Sequence, residues 1–136
     1  MKARLAILLL PLVAGSVCAD ELKTYFYTIK AGNIGHPLMD RMTDKDFMSG
    51  EVKSGQESAM RVMPSESSKG EFAPFMMWWK ISDTGRENLV DVRVRYKISD
   101  REYESEEIIP LAQDSEIRFD ESDAVIKVYV IEQPVL

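Results

Sequence analysis

A chain of 136 residues with 17 basic and 23 acidic side chains, one histidine and one cysteine is poor in the groups that most catalytic sites use. Its formal net charge of −6 repels nucleic acid and anionic lipid, which argues against both as partners. The same charge keeps a small monomer in solution.

The first 19 residues predict a destination. Lys2 and Arg4 form a basic start, residues 5–12 are apolar apart from Pro11, and Val17, Cys18 and Ala19 carry the small-residue pattern of a cut before Asp20. The apolar run falls short of the roughly 20 residues of a membrane span. Residues 1–19 are therefore expected to be a cleaved signal peptide, and residues 20–136 one exported domain in a bacterial periplasm. Cys18 raises the alternative of a lipidated start, but such a signal places Gly or Ala before the cysteine, and Val17 stands there. Cleavage removes the only cysteine and shifts the net charge to −8. Asn33 and Asn88 lack the hydroxyl residue of a glycosylation site. Both traits fit a bacterial compartment better than a eukaryotic secretory route. A domain of this length buries one core of ordinary size and not two.

The elements that follow repeat every two residues, the period of strands. Residues 22–30 form the first, with Tyr25, Tyr27 and Ile29 on one face. Residues 33–55, with their glycines, charges and Pro37, read as an irregular region holding at most a short helical turn over residues 37–42. Residues 65–70 read as an exposed loop. Strands are predicted over residues 72–81, 89–98, 103–109, 117–119 and 124–132, separated by turns rich in Ser, Asp and Gly. The pattern is clearest in residues 89–98: Val90, Val92, Val94, Tyr96 and Ile98 share one face, and Asp91, Arg93, Arg95 and Lys97 the other. Residues 124–132 are apolar on both faces, which predicts a strand that is central or covered on both sides. Six or seven strands and almost no helix define an all-β chain. The expected fold is a small antiparallel two-sheet sandwich, immunoglobulin-like only in its layers, with a small β-barrel as the alternative.

No catalytic constellation appears. His36 has no nucleophile motif beside it, and no phosphate-binding glycine loop is present. The carboxylates Glu104, Glu106 and Glu107, and likewise Asp120, Glu121 and Asp123, flank turns and strand ends and read as solvated faces rather than a calcium loop or an acid–base pair. The chain is expected to be no enzyme and to need no cofactor.

Two features stand out against this background. Seven methionines follow the predicted cut. His36, Met39 and Met42 fall at i, i+3 and i+6, where one side of a helical turn would present two thioethers and an imidazole, a set suited to Cu(I). Methionine also fills irregular gaps in cores. The second feature is the run Phe72, Ala73, Pro74, Phe75, Met76, Met77, Trp78, Trp79. Alternation sends Met77, Trp79 and Ile81 to one side and Met76 and Trp78 to the other. Proline cannot donate to a ladder, so Pro74 predicts an edge strand. Pro74, Met76 and Trp78 are therefore the expected docking residues for another protein of the envelope, since Trp and Met are enriched where proteins meet. The competing expectation is a periplasmic Cu(I) binder using His36, Met39 and Met42.

Overall fold

Side chains that alternate between water and oil force a sheet to bury one face, and a second sheet is the simplest cover. The computed structural model describes residues 22–37, 39–41, 48–63 and 73–134. The predicted signal peptide, Cys18, Met42 and residues 65–70 lie outside the described residues. Among the described residues the strands are β1 (Thr24–Gly32), β2 (Met48–Lys53), β3 (Glu57–Val62), β4 (Phe75–Asp83), β5 (Leu89–Ile98), β6 (Arg101–Pro110), β7 (Ser115–Arg118) and β8 (Val125–Glu132), with a 3-10 turn at Met39–Arg41.

They form two four-stranded antiparallel sheets, β2-β1-β8-β7 and β3-β4-β5-β6. This is the predicted sandwich. Every ladder joins strands consecutive in sequence except the one between β1 and β8, so the path runs up and down without the Greek-key crossings of immunoglobulin domains. The path does not close into the alternative barrel, because β2 passes to β3 and β6 to β7 without a ladder between them. Isolated hydrogen bonds tie these seams instead. The Gly55 amide donates to the Ile81 carbonyl at 2.8 Å, and the Ser105 hydroxyl to the Arg118 carbonyl at 2.7 Å.

The core is the inner half of every long strand. Val90, Val92, Val94 and Tyr96 of β5 are fully buried against Tyr25 and Ile29 of β1, Phe75, Met77 and Ile81 of β4, and Ile126 and Val130 of β8. Burying each such side chain contributes about 1.5–3 kcal/mol, which lets the fold stand without a disulfide.

Three expectations need correction. Residues 33–55 are not irregular throughout, since 48–53 form β2 and pair with β1 from Thr24↔Lys53 to Ile29↔Met48. Residues 57–62, where no strand was expected, form the edge strand β3, whereas β8 is central between β1 and β7 as one of the two expected options, with Val125 and Tyr129 half-exposed and Ile131 open beside Phe26 on its outer face. The edge position predicted from Pro74 is wrong too. β4 lies between β3 and β5 and pairs with both along its length. Pro74 sits one residue ahead of the first paired position, where its missing N–H costs nothing, and its carbonyl accepts from the Ser99 amide at 3.1 Å.

Candidate functional site

The site builds from β4 outward. Its nine residues alternate without a break, so Phe75, Met77, Trp79 and Ile81 point into the core while Met76, Trp78, Lys80 and Ser82 point to solvent. Adjacent tryptophans thus have opposite environments. Trp79 is 4% exposed, packs edge-on against Tyr27 with ring centroids 5.7 Å apart, and its Nε1 has no hydrogen-bond partner among the described residues. Its hydrophobic burial outweighs that orphan donor, which costs about 1–3 kcal/mol.

Trp78 is held differently. The register places it between Ala59 of β3 and Arg95 of β5. The Arg95 guanidinium lies over the indole, 4.1 Å from its centroid, an arrangement worth about 0.5–1 kcal/mol at an exposed site. Arg95 is in turn held by Glu102, at 2.9 Å, and by Glu57, at 3.8 Å. On the other flank stands Ala59, exposed and too short to cover the ring. One side of the indole is therefore braced and the other left open.

The rows above and below complete the face. Lys80 lies between Glu57 and Arg93, and Met76 between Arg61 and Lys97. Arg93 is hydrogen-bonded to Glu104. Exposed pairs of this kind add little stability, but a braced network fixes where the cations stand. Toward the opposite end of the sheet, Asp91 and Glu106 share a hydrogen bond. Partial burial, that bond and the second carboxylate push the Asp91 carboxyl up to about 6, against the pull of Lys80 and Arg93.

Of the candidate Cu(I) set, His36 and Met39 lie in the β1–β2 connection, and Met42 falls outside the described residues. His36 is buried, packs against Phe75 at 5.4 Å between ring centroids, and its Nε2 lies 2.8 Å from the Ala73 carbonyl. A carbonyl only accepts, so Nε2 carries the proton in this contact. Met39 is buried in the core beneath the same connection, and the Asp40 carboxylate accepts from the Ile34 and Gly35 amides at 2.8 and 2.9 Å. His36 thus latches the β1–β2 connection to the residues leading into β4, and so holds the approach to Pro74. Among the described residues, no three His, Cys, Asp or Glu side chains are grouped to hold a metal ion.

Pro74, one residue ahead of β4, is exposed, and Met76 on the outer face of β4 is half-exposed. Sequence reasoning missed Arg95 as the brace of Trp78. The antiparallel hairpin of the two strands was its only signal, and that signal needs the register. It also missed an open concavity of ≈ 1000 Å³ on the outer face of the other sheet, flanked by Thr28, Glu116, Lys127 and Tyr129. Its walls are solvated side chains with no braced aromatic, so it does not compete with the Trp78 face.

The class defined by fold and face is an eight-stranded antiparallel sandwich that presents a braced tryptophan on a flat outer sheet. No protein-family model, curated protein or solved structure matches the chain.

Proposed function

We propose that the protein is an exported, non-enzymatic binding or assembly accessory of the bacterial envelope, which captures another envelope protein on the outer face of β4 through Pro74, Met76 and Trp78. The observation that carries this reading is the placement of Trp78. A large aromatic stands on the solvent side of a central strand, braced by Arg95 and left open toward Ala59. Rigid aromatics of this kind anchor interfaces because they bury much surface while losing little side-chain entropy on binding. Export follows from the basic, apolar and small-residue segments before Asp20.

A photo-crosslinking residue in place of Met76, in cells of the source organism, tests the reading. It should retrieve one envelope protein reproducibly. Adding Trp78→Ala should cut the yield by roughly 30-fold, the equivalent of about 2 kcal/mol from a tryptophan anchor. Equal yields with and without Trp78 would refute the docking surface. N-terminal sequencing of the mature protein should begin at Asp20, and a lipidated Cys18 would overturn the soluble periplasmic assignment.

A further inference from the structure

Resting on that docking reading, we infer that the partner presents an extended acidic segment, with a carboxylate and an apolar side chain two residues apart. Charge on the outer face of β3-β4-β5-β6 is not evenly satisfied. Arg93 and Arg95 are each engaged by glutamates of β6. Arg61 and Lys97 are both exposed, and neither makes an ion pair among the described residues. These two cations flank Met76 directly, as the pairs Arg61↔Met76 and Met76↔Lys97 show. Neighbouring strands stand about 4.8 Å apart, so both side chains reach the space above the Met76 thioether. A carboxylate placed there meets a cation on each side and a polarizable, apolar floor.

One row further along β4 is Trp78, with Ala59 leaving its β3 flank open. Two residues of a strand span about 6.6–7 Å, and that is also the separation of alternate side chains on one face of an extended peptide. A peptide running along β4 therefore sets an acidic side chain between Arg61 and Lys97 and, two positions on, an apolar side chain in the gap over Ala59 against the indole. The match is one of charge and period together. A basic segment would meet Arg61 and Lys97 with like charge, while the nearby carboxylates Glu57, Glu102 and Glu104 are engaged by Arg95 and Arg93, which disfavours it at the encounter stage as well as in the complex. β4 is already paired on both sides, so recognition runs through side chains above the sheet and not through a new ladder.

Two peptides differing in one residue test this: Ac-Gly-Ser-Glu-Thr-Leu-Thr-Gly-NH2 and its counterpart with Lys in place of Glu. Each is titrated into the isotopically labelled protein at low ionic strength. The indole N–H of Trp78 and the methyl of Met76 are followed by NMR, with Trp79 as the internal control. The glutamate peptide should move Trp78 and Met76 but not Trp79, and bind at least about 10-fold more tightly than the lysine peptide. That preference should shrink at 0.5 M salt and reverse in the double variant Arg61→Glu, Lys97→Glu. Equal binding of both peptides at Trp78 would overturn the acidic-partner inference while leaving the docking surface standing. No shift at Trp78 or Met76 with either peptide would count against both.

Discussion

The two faces of β4 teach different things. On the inner face Phe75, Met77, Trp79 and Ile81 lie in one unbroken core, each at most 4% exposed. On the outer face Met76, Trp78 and Lys80 are half-covered, and what covers Trp78 is an arginine rather than another apolar group. Two tryptophans joined by one peptide bond thus do opposite work: Trp79 holds the sheets together, whereas Trp78 is held up by its neighbours. A core needs apolar volume, but a recognition face needs a rigid apolar group kept within reach of water.

The largest effect should come from breaking the inner face. Trp79→Ala should destabilise the domain by about 3–5 kcal/mol, a large share of the total of roughly 5–15 that small domains possess. Trp78→Ala should cost about 1 kcal/mol or less, mostly the lost stacking of Arg95. Urea unfolding of the two variants checks this, and equal losses would mean that β4 is covered on both faces.

A smaller effect should follow from a change on a different strand that reaches only the inner face. A Cβ added at Gly50 would stand 2.5 Å from the Tyr27 hydroxyl oxygen and 2.9 Å from its Cζ. Tyr27 leans edge-on against Trp79, so Gly50→Ala should push the phenol into that contact at a cost of about 1–3 kcal/mol. Near-ultraviolet circular dichroism should report an altered Trp79 environment, while the Trp78 indole N–H resonance stays in place.

The smallest effect belongs to the outer face and to pH. The Asp91 carboxyl is raised from its ordinary 3.8 to about 6, first by burial and then by Glu106. The folded state therefore keeps a proton that the unfolded chain releases. Stability from this group is fully present below about pH 4 and is lost as pH rises to about 6. Thermal midpoints should carry a shallow downward slope across that window, and Asp91→Asn should remove it.

Legibility in the sequence tracks how much each element buries. β5 was plain because five alternating apolar residues are interleaved with four charged ones, and four of those apolar residues are completely buried. β2 and β3 were missed because edge strands need little pattern: β2 fully buries only Val52, and β3 buries no residue completely. β8 was legible as a central strand from its two apolar faces, although Tyr129 and Ile131 share the outer surface with Phe26 and Thr28 in the open. Pro74 misled because proline before a strand looks the same in sequence as proline within one. At the candidate site, alternation made the opposition of Trp78 and Trp79 readable but not which of them is inside, since both faces of β4 carry large apolar residues. The Arg95 brace, the gap at Ala59 and the latch from His36 to Ala73 join residues 17 to 37 positions apart, and no local pattern encodes such contacts.

The central claim is the unlike burial of the two tryptophans, and acrylamide quenching of single-tryptophan variants tests it most directly. Trp78→Phe leaves Trp79 as the only emitter, and Trp79→Phe leaves Trp78. Trp79 alone should emit at short wavelength and resist quenching, while Trp78 alone should emit to the red and quench several-fold more readily. Two folded variants with equal quenching, or with the order reversed, would contradict the account.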